Sequence, residues 1–321
     1  MAGARYTLAV FALALVLGHA RAQLTLVELN CENLFDCHHD SLKQDTEWLP
    51  EGTRHWTPAR YWRKLNHLGQ EILSCQEESV PDLVALVEVE NDSCLFDLTR
   101  RSLLRRAGYE YLMTESPDVR GIDVALLYQP LSFRPLCYDY LDIVPLEGMR
   151  PTRDILYVQG ETLSRDTLHV FVVHAPSRYG GEKKTRPNRQ LIADRLVTAI
   201  RQLPKDAKII VCGDFNDAVD DPALHYLQQH GLQNITATAK GRYGKAKATY
   251  RYQGQWESID HVFVSSALVN SVSRTFIQDA PFLLEEDKRY GGSKPFRTFN
   301  GYRYQRGFSD HLPLVVRFQF K

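Results

Sequence analysis

Residues 208–217 have the sequence KIIVCGDFND, and this stretch decides what kind of fold the chain forms. Residues 209–212 are apolar without a polar and apolar alternation, which is typical of a strand in a sheet that is covered on both faces. Gly213 and Asp214 end the run with a turn residue and a charge. The stretch therefore predicts a buried strand with polar groups at its end.

Similar apolar runs recur along the chain, separated by segments with helical spacing. Further strands are predicted at residues 24–29, 83–87, 124–128, 168–173, 261–264 and 314–320, with a weaker one at 155–159. Helices are predicted at residues 58–75, 93–104 (capped by Ser93), 188–203 and 222–229, and a loop or hairpin at 240–251. Strands that alternate with helices predict an α/β fold built in layers.

Composition excludes several classes of protein. The chain has 321 residues, of which 44% are hydrophobic and 24% charged, so it has ample material for a core and is not a disordered chain. Lys+Arg and Asp+Glu both number 39, so no overall basic excess indicates a nucleic-acid partner, although a local basic patch stays open. We find no internal repeat or linker, and residues 23–321 are predicted to form one domain.

The N-terminal residues predict export from the cell. An apolar run at residues 6–17 follows Arg5 and precedes Ala20-Arg21-Ala22, as in a secretory signal peptide at residues 1–22. An uncleaved anchor is the alternative. We expect a secreted protein, extracellular or periplasmic, without stable membrane insertion. Its six cysteines then suggest disulfides, with free buried thiols as the alternative.

Polar residues of a narrow set end the predicted strands. They are Asn30, Glu88, His174, Asp214, Asp260, Asp310 and His311. Charges at the ends of apolar strands are costly unless they are paired or hold a cation. Oxygen ligands of this kind suit Mg²⁺. The histidines leave zinc open, but they do not have a zinc spacing such as H-E-x-x-H.

Seven motifs, taken in order, carry a resemblance to a known family. They are LNCENLFD (29–36), ALVEVE (85–90), GIDVALLY (121–128), VHAPS (173–177), GDFND (213–217), SIDH (258–261) and SDH (309–311). The chain resembles the endonuclease/exonuclease/phosphatase superfamily, with its DNase I-like fold, over nearly all of residues 23–321. The resemblance implies a four-layer α/β/β/α sandwich of two mixed β-sheets. It also implies Mg²⁺-dependent hydrolysis of a phosphoester.

The resemblance also implies a metal site. Glu88 corresponds to the principal metal carboxylate of the family, with Asn30 beside it, and Asp310 corresponds to a further metal-site acid. The expected ion is Mg²⁺, with Mn²⁺ or Ca²⁺ as alternatives, and it would polarise a phosphate oxygen. Schemes with one metal and with two both stay open.

The remaining roles fall on acids, amides and histidines. His311 resembles the catalytic histidine and Asp260 the acid that orients it, since a carboxylate on one ring nitrogen fixes the tautomer. Asp214 resembles the acid that positions or activates water, and Asn216 the amide that holds the phosphate or the water. His174 resembles the second histidine, which donates to a phosphate oxygen.

Other positions are less specific. Ser177 and Arg178 follow His174 closely enough to contact phosphate. Asp123 either buffers His174 or caps its strand. Arg120 and Arg189 either reach phosphate or form structural ion pairs.

The substrate is the least determined part of the prediction. Tyrosines interleave with basic residues in two clusters, at 240–252 and 288–306, and such residues neutralise phosphates and stack on bases. We therefore predict a phosphoester substrate, specifically nucleic acid, and a sequence-nonspecific nuclease. The alternatives are solvated charged loops at these clusters, a phosphomonoesterase or a phospholipid (sphingomyelinase-type) phosphodiesterase. A non-catalytic binding module on the same fold is a further alternative. The oligomeric state is not predicted.

Overall fold

Two six-stranded β-sheets form the centre of the protein. A computed structural model describes residues 23–320, and the predicted signal peptide lies outside the described residues. In chain order, the strands are β1 (Gln23–Leu34), β2 (Leu83–Val89), β3 (Glu110–Met113), β4 (Asp123–Tyr128), β5 (Phe133–Leu141), β6 (Ile155–Thr162), β7 (Thr167–His174), β8 (Lys208–Asp214), β9 (Leu232–Asn234), β10 (Tyr250–Tyr252), β11 (Gln255–Glu257), β12 (Asp260–Ser265), β13 (Val272–Ile277), β14 (Leu284–Glu286), β15 (Ser293–Pro295), β16 (Phe299–Asn300), β17 (Arg303–Tyr304) and β18 (Leu314–Gln319).

Helices cover the outer faces of the sheets. The α-helices are α1 (Pro58–Ser74), α2 (Asp92–Phe96), α3 (Glu182–Ile200), α4 (Pro222–Gln229) and α5 (Ser266–Val269). Short 3₁₀ turns lie at Thr46–Trp48, Leu103–Arg106 and Pro281–Leu283, and a π-helical turn lies at Asp97–Arg101. Among residues 23–320, none of the helices has both the length and the hydropathy needed to span a bilayer.

Both sheets are mixed, as the resemblance to the family implies. The first has the order β13-β18-β1-β2-β4-β3, and only β1 and β2 run parallel. The second has the order β5-β6-β7-β8-β12-β9, with β7 and β8 parallel. Strand β1 pairs with β18, so the first and last strands of the described chain meet at the centre of one sheet.

Three apolar cores separate four layers. The core between the sheets includes Leu26 and Leu126 of the first sheet and Val170 and Ile210 of the second. A second core lies between the first sheet and α1, and a third between the second sheet and α3 and α4. The predicted α/β/β/α sandwich is confirmed, because strands that are apolar on both faces bury one face against a sheet and the other against helices.

Strand register brings the predicted polar residues together. His174 at the end of β7 is level with Asp214 at the end of β8, and Asp260 at the start of antiparallel β12 is level with Asp214 on its other side. Gly213 allows this close approach, since it has φ +143° and a Cβ there would overlap the Val173 carbonyl oxygen. One end of the second sheet therefore carries a row of ionisable side chains.

The helix predicted at residues 93–104 is wrong in detail. Its cap is Asn91, not Ser93: the Asn91 side chain accepts a hydrogen bond from the Cys94 backbone N–H at 3.0 Å. The segment then runs as short α, π and 3₁₀ pieces, the last of them capped by the Ser102 hydroxyl. Helix α3 also begins six residues earlier than predicted, at Glu182, and includes Pro187.

The predicted disulfides are not present. All six cysteines are free, and they lie in different parts of the fold. Cys212 belongs to the core between the sheets, whereas Cys31, Cys75 and Cys94 lie in the core under α1. Burial also raises the pKa of Cys31 far above its ordinary value, so its thiol resists oxidation.

We therefore expect all six thiols to react with a thiol reagent in denaturant without a reductant. The measurement is a count of released thiolate per chain in guanidinium chloride. A deficit of two or more thiols that returns after reduction would show that the protein contains a disulfide.

Candidate active site

One cavity collects most of the predicted site residues. It has a volume of about 820 Å³ and opens at the ends of β1, β7, β8 and β12. Ten predicted residues line it: Asn30, Glu88, Arg120, His174, Ser177, Arg178, Asp214, Asn216, Asp310 and His311. Asp260 and Asp123 do not line the cavity, and Asp260 contacts it only through its hydrogen bond to His311. The Asp123 carboxylate accepts hydrogen bonds from Thr114 Oγ1 and from the Ser116 backbone N–H at 2.5 and 3.0 Å.

His311 is held by a buried acid. Its Nδ1 lies 2.8 Å from Asp260 Oδ2, and both side chains are at most 7% exposed. Burial lowers the pKa of His311, but Asp260, Asp310 and Asp214 outweigh burial and place the pKa well above its ordinary value. These acids favour the protonated form of His311, and because Nδ1 is engaged by Asp260, Nε2 is left to face the cavity.

His174 has the opposite charge state. Burial lowers its pKa, and the neighbouring Arg153 and Arg120 lower the pKa further, well below its ordinary value. Its Nε2 lies 3.8 Å from Glu88 Oε1 and 3.9 Å from Asp214 Oδ2, distances that are too long for hydrogen bonds. The surroundings thus shift the pKa values of the two imidazoles in opposite directions, an arrangement typical of acid–base chemistry.

Asp214 lies between these histidines. Asn30 Nδ2 donates to Asp214 Oδ2 at 3.1 Å, and the Asn216 backbone N–H donates to Oδ1 at 2.8 Å. Burial, reinforced by the charge of Asp260, raises the pKa of Asp214 to about 7. A carboxylate with such a pKa is suited to accept a proton near neutral pH.

Glu88 has the donor chemistry expected of a metal ligand. Its Oε2 accepts from the Asn33 backbone N–H at 2.8 Å, while Oε1 makes no hydrogen bond within residues 23–320. Asp214, Asp260 and His311 also have possible ligand atoms within 4.8 Å of one another. However, His311 Nδ1 and the Asp260 carboxylate are hydrogen-bonded to each other, so these atoms are already engaged. Glu88, with Asn30 and Asp214 nearby, therefore fits a hard divalent cation better than this trio does.

The backbone is strained around the cavity. Four non-glycine residues that line it have positive φ, namely Glu32 (48°), Asn33 (61°), Glu88 (63°) and Asn216 (51°). Each such conformation costs about 1–2 kcal/mol. Strain of this kind concentrates where side chains must be held for function.

The sequence did not assign a role to two further residues. Arg297 Nη2 donates to Asp310 Oδ2 at 2.7 Å, and Arg297 Nε lies 3.5 Å from Glu32 Oε1. Glu32 stands in the LNCENLFD motif, and Arg297 stands in the second basic cluster. Only the motif gave a signal for Glu32, and nothing in the sequence indicates that the two residues meet.

Aromatic and basic side chains form part of the rim. The Arg54 guanidinium lies 4.5 Å from the Trp48 ring centre and 5.3 Å from that of Tyr302. The Tyr250 ring lies 4.8 Å from the His311 ring. Of the first basic cluster, Tyr250 and Tyr252 reach the cavity, whereas Arg242 pairs with Glu77 on the surface.

Arg178 and Arg189, two of the arginines that the sequence offered as phosphate contacts, are bound to other groups of the protein. Arg178 Nε donates to the Asn216 carbonyl at 2.7 Å, and its Nη1 lies 2.9 Å from Glu257 Oε2. Arg178 therefore supports the loop that carries Asn216. Arg189 is buried and paired with Asp217, a structural ion pair.

Comparison with known proteins places this geometry in a family. No curated protein matches the chain in sequence. The chain is similar in structure to an endonuclease/exonuclease/phosphatase family protein from Bacteroides thetaiotaomicron, with 16% identity, a TM-score of 0.64 and coverage of 94% of this chain and 99% of that one.

Two further structures share the fold. One is D. rerio TDP2 humanized by 14 mutations, with 16% identity, a TM-score of 0.59 and coverage of 93% and 99%. The other is a mannosyl-6-phosphatase from B. thetaiotaomicron, with 16% identity, a TM-score of 0.61 and coverage of 92% and 100%. A family model described as Endonuclease/Exonuclease/phosphatase family matches residues 25–319. Because this match covers most of the chain, the protein belongs to the endonuclease/exonuclease/phosphatase family.

Proposed function

We propose that this protein is an exported, Mg²⁺-dependent phosphodiesterase that cleaves nucleic acid without sequence specificity. Members of its family are hydrolases that act on phosphoester bonds. The observation that carries the proposal is the placement of His174 and His311 on either side of Asp214, with the pKa of His174 lowered and that of His311 raised by their surroundings. Hydrolysis of a phosphodiester requires a proton acceptor for water and a proton donor for the leaving oxygen.

The metal site would use Oε1 of Glu88, the oxygen that makes no hydrogen bond in the described structure. Glu88 would hold the ion through Oε1, with Asn30 beside it, and the ion would supply Lewis-acid polarisation of a phosphate oxygen. Mn²⁺ and Ca²⁺ are alternatives to Mg²⁺, since all three prefer oxygen ligands.

The chain's own residues would carry the proton transfers. Asp214 would accept the proton of the attacking water, because burial raises its pKa to about 7. His311 would donate its Nε2 proton to the leaving oxygen, while Asp260 stabilises the imidazolium through Nδ1. His174, which is neutral, would donate one N–H to a phosphate oxygen, and Asn216 would orient the phosphate or the water.

The rim supports a nucleic-acid substrate. Arg54 on Trp48, together with Tyr250 and Tyr252, gives a cationic and aromatic border to the cavity. Stacking of a base on such a ring contributes about 1–3 kcal/mol and does not depend on sequence. The fold alone does not choose the substrate, since TDP2 and a mannosyl-6-phosphatase both share it.

Plasmid nicking tests the proposal. With Mg²⁺, we expect the purified mature protein (residues 23–321) to convert supercoiled plasmid to open circles, and we expect EDTA to abolish the conversion. A parallel assay on bis(p-nitrophenyl) phosphate and p-nitrophenyl phosphate separates diester from monoester cleavage. Intact plasmid and rapid monoester cleavage by folded protein would contradict the nuclease proposal and favour a phosphomonoesterase.

A further inference from the structure

Two carboxylates of the cavity other than Glu88 share one arginine. Glu32 and Asp310 both line the cavity, and their side chains are 5% and 17% exposed. Asp310 contributes to raising the pKa of Glu32, so the two charges interact. Two acids this deeply placed need a compensating positive charge. In a metal-dependent site, a second divalent ion would be the simplest source of that charge.

A side chain already supplies that charge. Arg297 Nη2 donates to Asp310 Oδ2 at 2.7 Å, and its Nε lies 3.5 Å from Glu32 Oε1. The guanidinium therefore bridges the two carboxylates. The Arg297 side chain is 31% exposed and lines the cavity, so part of its guanidinium group is available to donate hydrogen bonds to a substrate.

The hydrogen bonds of Glu32 hold Arg297 in this place. The backbone N–H groups of Thr298 and Phe299 donate to Glu32 Oε2 and Oε1 at 2.6 and 3.0 Å. The Thr298 hydroxyl in turn accepts from the buried Lys64 ammonium at 2.8 Å. Both oxygens of Glu32 are thus occupied by donors from the segment that carries Arg297, and this segment is tied to the protein core.

Glu88 is different. Its Oε1 makes no hydrogen bond within the described part of the chain. The basic group within 4.0 Å of this oxygen is His174, at 3.8 Å, and the pKa of His174 is well below its ordinary value. Glu257, another acid of the cavity wall, is paired with Arg178. Among the acids that line the cavity, Glu88 therefore has an oxygen available to a cation, while Glu32 and Asp310 have a resident arginine.

We propose that Arg297 takes the place of a second metal ion at Glu32 and Asp310, so that the site binds one divalent cation, at Glu88. This inference rests on the proposed metal-dependent function. It chooses the one-metal scheme, and it makes Asp310 the partner of an arginine instead of a metal ligand. Arg297, which lines the same cavity as Glu88, would present a fixed positive charge to a phosphate oxygen.

The stoichiometry of Mn²⁺ binding tests the inference without any turnover. The free Mn²⁺ signal in electron paramagnetic resonance, followed during titration of the full protein without substrate, counts the bound ions. We expect one ion for the wild type and for Arg297→Lys, which keeps a cation. We expect two ions for Arg297→Met, with the second bound at least about tenfold more tightly than any second ion in the wild type, since two unneutralised carboxylates would remain.

Matched variants define the site of each ion. Arg120→Met removes another arginine of the same cavity, whose Nη1 lies 3.5 Å from Asn33 Oδ1, and it should leave one ion. Asp310→Asn should leave the affinity for the first ion within about threefold, whereas Glu88→Gln should lower that affinity by more than about tenfold. Thermal melting verifies that each variant is folded, and if Arg297→Met does not fold, the Asp310→Asn titration decides.

Three results would overturn the inference. Two ions in the wild type would show that Arg297 does not exclude the second. One ion in folded Arg297→Met, or a large loss of the first ion in Asp310→Asn, would show that Glu32 and Asp310 are not a site that the arginine occupies. Absence of binding in wild type and Arg297→Met alike would overturn the metal part of the proposed function as well, so the two failures are distinguishable.

Discussion

Replacing His311 with alanine is expected to lower kcat/KM for phosphodiester cleavage by about 10²–10⁴-fold while the protein stays folded. The reason is the charge state of the ring: Asp260 keeps His311 protonated in spite of its burial, and Nδ1 is engaged, so Nε2 is the proton donor available to the cavity. Initial rates on bis(p-nitrophenyl) phosphate, together with a thermal melt, measure activity and folding separately.

A histidine outside the cavity provides the matched control. His169 lies on β7 with His174, is 6% exposed, and contacts the Tyr157 hydroxyl through Nδ1 at 2.8 Å. His169→Ala removes a buried ring of the same kind without touching the site, and we expect its activity to stay within about threefold of the wild type. If His169→Ala loses as much activity as His311→Ala, the loss in His311→Ala would have to be attributed to folding.

Asp260→Asn separates the charge of the acid from its position. Asparagine has a similar size but no charge, so the pKa of His311 should fall because its largest raising influence is lost. The wild-type ring stays protonated until the pH passes its raised pKa, and the ring in the variant loses its proton at a lower pH. The alkaline limb of the kcat/KM profile should therefore move to lower pH. An unchanged alkaline limb would mean that His311 is not the acid.

The sequence predicted the inner strands of the two sheets, because burial on two faces leaves a local signal, but it missed the four edge strands β13, β3, β5 and β9. Residues 209–212 are apolar without interruption, residues 168–173 are apolar except for His169, and both form central strands, β8 and β7. The polar residues that end these strands meet because adjacent strands in register must end side by side. Sheet geometry therefore places His174 and Asp214 at one edge of the second sheet, whereas Glu88 reaches the cavity from β2 of the first sheet, and only the resemblance to the family implied that meeting.

The contacts that the sequence could not predict join distant segments. Arg297 meets Asp310 and Glu32 because three segments far apart in the chain fold against one wall. Asp123 belongs to a predicted motif, yet its hydrogen bonds go to Thr114 and Ser116, and only the pairing of β3 with β4 determines that. The charge states of the two histidines likewise depend on burial and on neighbours that no motif includes.

Replacing Glu88 with glutamine is expected to lower kcat by about 10³-fold at a low Mg²⁺ concentration, and to lower the affinity for the ion more than the affinity for the substrate. Glutamine keeps the shape of the side chain and can still accept the Asn33 N–H bond that glutamate accepts at 2.8 Å. It removes the negative charge on Oε1, the atom that makes no hydrogen bond in the described structure. The variant therefore tests charge at constant geometry.

The dependence of the rate on Mg²⁺ concentration gives the sharper measurement. If Glu88 holds the ion, Glu88→Gln needs more Mg²⁺ for half-maximal rate and regains part of its activity when the ion is raised, since binding follows mass action. Glu257→Gln is the matched control, because Glu257 lines the same cavity but is paired with Arg178 at 2.9 Å, and its Mg²⁺ dependence should not change. An unchanged Mg²⁺ dependence in Glu88→Gln would place the ion elsewhere. The trio of Asp214, Asp260 and His311, whose ligand atoms lie within 4.8 Å of one another, would then be the alternative. In that case His311 could not also be the protonated acid, so this one titration tests the metal site and the proton donor together.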